Sequence, residues 1–172
     1  MLYCHFGLEH VGGHHKFLST EGDPASALKG ESLYYHIAKS FFGGFRNAWS
    51  REIKRVNSMV KPENKSCLII FKTNLLKNKL VFLTSMQYLM AFMIYLIFGI
   101  KSLLCHIGIS LLGIFFVEWI NYINHYGLQR QKNQQGEFEK ISENHSWNAY
   151  STPLLFRIQR HSDHHMHSTR PY

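Results

Sequence analysis

The chain has 172 residues, and its formal net charge of +8 at pH 7 rests on 19 Lys and Arg residues against 11 Asp and Glu residues. A basic chain raises the question of nucleic acid, but no recognised nucleic-acid motif accompanies these charges, so we expect no nucleic-acid partner. The three cysteines, Cys4, Cys67 and Cys105, are scattered and odd in number. This pattern excludes a disulfide framework and a cysteine-based zinc site.

The first histidine cluster lies near the start of the chain, in the sequence Glu9-His10-Val11-Gly12-Gly13-His14-His15. On an α-helix His10 and His14 project from the same side because they are four residues apart, and His15 lies to the side. The two glycines allow close approach by another backbone. The spacing predicts metal ligands, although by itself it is also typical of an exposed surface cluster.

A basic amphipathic helix is predicted over about residues 39–60. Lysine and arginine residues alternate there with large apolar residues at close to helical spacing. The pattern is typical of a helix that lies at a membrane surface. It also fits a helix that packs against its own protein.

Two apolar runs follow, at residues 80–100 and 103–123. At ~1.5 Å per residue each helix would be roughly 30 Å long, which is the thickness of the hydrocarbon core of a bilayer. The first run has no charged residue, and the second has only Glu118. We therefore predict two transmembrane helices, since such runs are uncommon in the core of a soluble protein, which is the alternative.

The segment between the two runs is too short to hold a domain, so the runs predict a helical hairpin with both outer ends on one side. Basic residues flank the outer ends, whereas the tip carries only Lys101. The flanking residues are Lys72, Lys77, Lys79, Arg130 and Lys132. Positive residues favour the cytoplasmic side, which places the outer ends in the cytoplasm.

A polar stripe ends the second run. Glu118, Asn121, Tyr122 and His125 recur at helical spacing on one face. A charge at the centre of a membrane helix costs ~2.5–3.5 kcal/mol, so a retained stripe indicates function. His125 is a candidate ligand, whereas hydrogen bonding between helices explains Asn121 and Tyr122 equally well.

The third cluster closes the chain, within a histidine helix predicted over about residues 153–167. His161 and His165 share one face of this helix, and His164 lies beside His161. Asp163 lies between them and could orient an imidazole through its second ring nitrogen, as carboxylates near metal sites often do.

The candidate metal ligands are therefore seven histidines in three clusters, namely His10, His14, His15, His125, His161, His164 and His165. Seven imidazoles exceed what one tetrahedral zinc ion requires. Histidine-rich ligand sets suit iron, and the excess suggests two ions. Four side chains are candidates to support these ligands, namely Glu9, Glu118, Asn121 and Asp163. The histidines His5, His36, His106 and His145 have no ligand spacing, and His167 falls off the face of His161 and His165, so we expect it to face solvent.

Several ordered segments carry a resemblance to a known family. They are residues 9–15, Asp23-Pro24-Ala25-Ser26, residues 121–128, His145-Ser146-Trp147-Asn148 and residues 155–165. Together they resemble the motifs of membrane-bound alkane 1-monooxygenases, within the histidine-box desaturase and hydroxylase superfamily. The box around His125 and the terminal histidine box are specific to that family, whereas scattered histidine boxes alone also suit fatty-acid desaturases.

The resemblance implies an all-α integral membrane protein of six helices with a histidine-lined cytoplasmic di-iron site. It implies an oxidoreductase that uses O2 to hydroxylate the terminal methyl group of an alkane. Electrons would come from a rubredoxin-type donor with its NAD(P)H-dependent reductase, and membrane lipid would surround the helices. No catalytic residue is assigned beyond the two iron ions and their seven ligands.

Two departures from the family pattern affect this expectation. The family has an earlier His-x-x-x-His box, and nothing before Glu9 supplies it. We therefore expect residues 1–172 to form a partial membrane monooxygenase domain that can be inactive by itself. Asn124 stands where the family usually has glutamate, so a carboxylate role beside His125 is lost or moved to Glu118.

Three alternatives stay open. The chain could belong to a fatty-acid desaturase or to an aryl-methyl monooxygenase of the same superfamily. It could also be a noncatalytic membrane fragment that binds metal. Product analysis separates the two kinds of enzyme, since a desaturase gives an alkene and no alcohol.

Overall fold

The computed structural model describes residues 2–64, 66–148 and 161–167. These residues form helices and loops without a β-strand, and the sole β-type contact among them is an isolated bridge between Lys132 and Phe138. The predicted all-α class is therefore confirmed for the described residues. By backbone contacts the chain forms two compact units, one of residues 1–9 and 44–115 and the other of residues 10–43 and 116–172.

The helices are named here in chain order. The first histidine cluster spans helix α1 (His5–Glu9), a π-helical turn (His10–His14) and the short helix α2 (His15–Phe17). Helices α3 (Leu33–Asn57), α4 (Cys67–Lys77), α5 (Lys79–His125) and α6 (His161–Met166) follow. Two single 3₁₀ turns lie at Pro62–Asn64 and Glu143–His145.

Helix α3 corresponds to the amphipathic helix predicted over about residues 39–60, but it begins earlier. Ser32 starts it, because its hydroxyl accepts a hydrogen bond from the backbone N–H of Tyr35 at 3.3 Å. Large apolar side chains on this helix are exposed, with Phe42 at 70% and Trp49 at 40%. Exposed apolar side chains beside basic ones are consistent with a helix at a membrane surface.

Ion pairing and capping stabilise the first unit. The buried carboxylate of Glu52 accepts hydrogen bonds from Arg55 and, at 2.8 Å, from the backbone N–H of Lys79 at the start of α5. Arg55 also donates to the backbone carbonyl of Lys77 at 2.7 Å. These bonds join α3 to the junction between α4 and α5, where Leu80 is fully buried.

Both predicted apolar runs lie within α5. Among the described residues this is the one helix long and apolar enough to cross a membrane, judged by length and composition alone. Gly99 interrupts it with a φ of 80° and a ψ of −179°, a backbone conformation that glycine adopts without steric cost. The interruption lies at the end of the first predicted run, while the two-span hairpin and its orientation stay predictions.

Loops after α2 and α5 build the frame of the second unit. The N–H of Gly127 donates to the carbonyl of Ala27 at 2.8 Å, and the N–H of Arg130 donates to the carbonyl of Ser19 at 2.8 Å. Gly127 has a φ of 73°, which favours glycine at this turn. The loops therefore bring the end of α5 to the segment that follows the first histidine cluster.

Candidate metal centre

The first histidine cluster is held by a π-helical turn. Hydrogen bonding from residue i to i+5 gives this turn more residues than an α-helical turn has. As a result the Nε2 atoms of His10 and His15 lie 3.1 Å apart. The sequence predicted an α-helical geometry with His15 to the side, and that part of the prediction was wrong.

Four histidines from three elements converge in a buried group. We call His14, His125, His161 and His165 the four-histidine group, and one ring nitrogen from each lies within 4.8 Å of the others. The Nε2 atom of His161 lies 2.9 Å from that of His125 and 3.0 Å from that of His165. All four residues are at most 5% exposed.

The remaining three candidate ligands form a second group. We call His10, His15 and His164 the three-histidine group, and their Nε2 atoms are separated by 3.0 to 3.1 Å. These residues are half-buried. The structure thus places all seven predicted ligands in two adjoining groups of the second unit, where ring contacts such as that between His10 and His14 link them.

The spacing of the ring nitrogens suits metal binding. An ion bound at about 2.1 Å from each of two nitrogens at right angles holds those nitrogens roughly 3 Å apart. The Nε2 atom of His14 is buried and has no hydrogen-bond partner among the described residues. A buried polar atom of this kind ordinarily has a partner, and a metal ion in the four-histidine group would supply one.

Burial keeps these imidazoles in the form that binds metal. Burial, together with the charges of neighbouring histidines, lowers the pKa of His10 to about 2, of His161 to about 3 and of His15 to about 4. The pKa values of His164 and His165 are lowered for the same two reasons. Neutral imidazole is the ligating form, so both groups are ready to bind a cation near pH 7.

Comparison with known proteins identifies the family. The sequence model for "Fatty acid desaturase" matches residues 1–172. The chain belongs to the fatty acid desaturase family.

Within this family the chain is similar to alkane monooxygenases. It is 37% identical to alkane 1-monooxygenase 2 of Alcanivorax borkumensis and 35% identical to alkane 1-monooxygenase 1 of Pseudomonas aeruginosa. Each match covers 99% of this chain but 43% of the relative, so the chain spans less than half the length of these relatives. The hydroxylase component of a xylene/toluene monooxygenase of Pseudomonas putida is 26% identical over 92% of this chain and 40% of that protein. The predicted resemblance to alkane 1-monooxygenases is confirmed.

A buried carboxylate contacts one candidate ligand of this desaturase-family chain. Oδ2 of Asp23 lies 2.8 Å from Nδ1 of His14 and accepts a hydrogen bond from Ser26 at 2.6 Å, while Oδ1 accepts one from the N–H of Ala25 at 3.1 Å. Burial alone would raise the pKa of Asp23, but the charge of His14 and these hydrogen bonds lower it. The ionised carboxylate therefore favours a proton on Nδ1 of His14 and leaves Nε2 available to a metal.

Sequence reasoning gave Asp23 no role, although it belongs to the quoted Asp-Pro-Ala-Ser motif. The available signal was local: Asp23 precedes a proline and lies three residues before a serine, a pattern typical of a turn held by an aspartate side chain. What the spacing could not show is that this turn folds back onto His14, nine residues earlier.

Residues 145–148 contact the surroundings of two other candidate ligands, His125 and His161. The backbone carbonyl of His145 and the hydroxyl of Ser146 each lie 3.4 Å from Nδ1 of His125. Asn148 accepts from the N–H of Ser162 at 3.0 Å and donates to its hydroxyl at 2.7 Å, which fixes the residue after His161. The motif was quoted for the resemblance alone, and these contacts explain its place beside the site.

The four predicted supporting residues lie in different surroundings. Glu9 forms an ion pair with Arg51 in the first unit. Asp163 was expected to orient a ligand, but its side chain is 51% exposed and lies 4.0 Å from that of His167. Asn121 and Glu118 are buried in the second unit. The predicted histidine helix is described over residues 161–167, and its first part lies outside the described residues.

Replacing Asp23 with Asn should weaken the binding of one metal ion by about 10–100-fold, the usual cost of losing a partner that orients a ligand. The amide is neutral and no longer favours a proton on Nδ1 of His14. Titration of the metal-free protein with Co²⁺ or Fe²⁺ measures the affinity of each site. The exposed Asp163→Asn variant is the control and should bind as the wild type does. Equal affinities in Asp23→Asn and the wild type would contradict the orienting role.

Proposed function

We propose that the chain is part of an integral-membrane, non-haem di-iron monooxygenase that hydroxylates the terminal methyl group of an alkane with O2. The observation that carries the proposal is the convergence of seven histidines into two adjoining groups. Similarity to alkane 1-monooxygenases over 99% of the chain supports the choice of reaction.

Each histidine group would hold one iron ion. His14, His125, His161 and His165 would bind one, and His10, His15 and His164 would bind the other. Bound iron supplies the O2 reduction and C–H oxidation that no side chain can perform. The protein residues contribute fixed ligand positions and, around the buried four-histidine group, exclusion of water from the reacting atoms.

An apolar substrate and an electron carrier would use different parts of the chain. Apolar side chains of α5 are exposed along most of its length, which fits a multi-pass protein that takes an alkane from the membrane. The three-histidine group is less buried than the other, so electrons would enter there, at a cytoplasmic face. A rubredoxin-type donor with its NAD(P)H-dependent reductase fits this role. The basic residues of α3 would also attract an electron donor, but two of them are already neutralised. Arg51 forms an ion pair with Glu9, and Arg55 forms one with Glu52.

Other reactions of the family are the second candidates. The family match favours a desaturase, and the xylene/toluene relative favours hydroxylation of an aryl methyl group. A noncatalytic membrane protein that binds metal is the third candidate, because the two histidine groups by themselves indicate metal binding and not a reaction.

The test uses the full-length protein in lipid nanodiscs, loaded with iron and supplied with rubredoxin, its reductase and NADH. We expect about two irons per chain and conversion of octane to 1-octanol. Parallel reactions contain a fatty acyl substrate or xylene, and omission of rubredoxin is the control. An alkene product would favour the desaturase, and an aryl alcohol without 1-octanol would favour the aryl-methyl enzyme. Stoichiometric zinc without iron after iron-supplied expression, or two irons with no product, would overturn the proposal.

A further inference from the structure

A separate cluster of buried ionisable side chains lies in the second unit and shares no residue with the histidine groups. His36 of α3 is placed between two glutamates. Its Nδ1 atom lies 3.4 Å from Oε1 of Glu31, and its Nε2 atom lies 3.6 Å from Oε2 of Glu118. His36 and Glu118 are fully buried, and the side chain of Glu31 is 5% exposed. Each ring nitrogen of His36 therefore faces its own carboxylate.

Lys39 brings one end of the cluster to solvent. The ammonium group of Lys39 lies 2.7 Å from Oε1 of Glu31, and the lysine side chain is 24% exposed. The hydroxyl of Tyr122 donates to the backbone carbonyl of Glu31 at 2.7 Å, and the tyrosine ring packs against His36. Exposure thus falls stepwise from Lys39 through Glu31 to His36 and Glu118.

The protonation state of His36 suits transfer between its two neighbours. The groups that face or influence it come from the preceding loop, from α3 and from α5, and they are Glu31, Asp23, Lys39, Glu118 and Tyr122. Burial and the charge of Lys39 lower the pKa of His36 to about 4, and Glu31 and Asp23 only partly oppose these two effects. At pH 7 the ring is neutral, so one nitrogen carries a proton while the other can accept one.

Helix α5 connects this cluster to the histidine groups. Glu118 and His125 are seven residues apart, which is two helical turns on one face and a rise of about 10 Å. Asn121 lies between them on the same side and is 4% exposed, and its side-chain N–H group has no hydrogen-bond partner among the described residues. A water molecule bound to that amide would extend the polar path towards His125.

We propose that Glu31, His36 and Glu118 conduct protons from solvent to the metal centre. The inference rests on the proposed function, whose reaction is O2 + R–CH3 + 2H⁺ + 2e⁻ → R–CH2OH + H2O, with both electrons from the rubredoxin-type carrier. Each proton passes from Glu31 to Nδ1 of His36 while the proton on Nε2 moves to Glu118. Glu118 releases it along the face that bears Asn121, and exchange of the remaining proton from Nδ1 back to Nε2, aided by rotation of the imidazole ring, resets His36 for the next transfer. The two protons end in the water product.

Glu118→Gln separates this role from a purely structural one, because glutamine keeps the size and polarity of the side chain but cannot take up a proton. In the full-length iron-loaded enzyme we expect 1-octanol formation to fall at least tenfold. Iron content should not change, the solvent deuterium isotope effect should rise, and more O2 should be consumed per alcohol formed. Exposed Glu21→Gln removes the same charge and should match the wild type. Unchanged rate and coupling in Glu118→Gln would overturn the proposal.

An infrared titration of the metal-free protein tests the path without activity. A protonated carboxyl group absorbs apart from a carboxylate, and its band shifts in D2O. We expect a pH-dependent carboxyl band that is lost in Glu118→Gln and altered in His36→Gln. The same band in Glu118→Gln and the wild type would overturn the proposal. If the wild type forms no alcohol, the proposed function fails, and this titration by itself decides whether Glu118 takes up a proton under the influence of His36.

Discussion

Replacing His165 with Ala should remove one iron from the protein and abolish alcohol formation. His165 contributes a buried nitrogen to the four-histidine group, 3.0 Å from that of His161, and alanine has no ligand to replace it. Losing a direct ligand should weaken metal binding by more than the roughly 10–100-fold that follows the loss of a residue that orients a ligand. Metal analysis and product formation, both in the full-length protein, measure the two effects.

His167→Ala is the matched control for this experiment. His167 lies just after α6, its side chain is 44% exposed, and it belongs to neither histidine group. Its replacement should leave iron content and alcohol formation close to those of the wild type. Loss of iron in His167→Ala together with retention in His165→Ala would show that the grouping of ligands is wrong.

Acidification should destabilise the metal-free protein well before its carboxylates are titrated. Folded His10, His15 and His161 stay neutral because burial holds their pKa values at about 2, 4 and 3. In the unfolded chain the same residues take up protons near pH 6.5. The unfolded state thus binds more protons below pH 6.5, so stability is full above that pH and is lost as the pH falls towards 4.

Thermal unfolding of the chelator-treated protein between pH 7.5 and pH 4.5 measures this effect. Each buried histidine contributes a slope of up to about 1.4 kcal/mol per pH unit. His161→Asn removes one of these groups and should flatten the dependence, whereas His167→Asn removes an exposed one and should not. A melting temperature that stays constant over this range in the wild type would refute the expectation.

The candidate ligands could be predicted from the sequence, but their grouping could not. Histidine spacing reports which side chains share a face of one helix, and this is enough to select His161 and His165. It carries no information about which distant element meets that face. His14 and His125 join this pair through loop contacts, such as that between Gly127 and Ala27, which depend on tertiary packing.

Buried polar networks were the other feature that sequence reasoning missed. His36 has no ligand spacing and was expected to have no special role, and Glu118 was considered only in relation to His125. Their contact joins two helices that are far apart in the sequence. The early start of α3 had a visible local signal in Ser32, since serine is a favoured residue at the start of a helix.

The π-helical turn makes the histidine groups depend on the length of the backbone as well as on side chains. If this turn were α-helical at its present length, His15 would lie about 140° around the helix axis from His10, although every histidine would still be present. A scan that only substitutes side chains would overlook this requirement, because neither Gly12 nor Gly13 supplies a ligand. The presence of all seven histidines is therefore not enough for the two groups to form, because the backbone of this turn must also be π-helical.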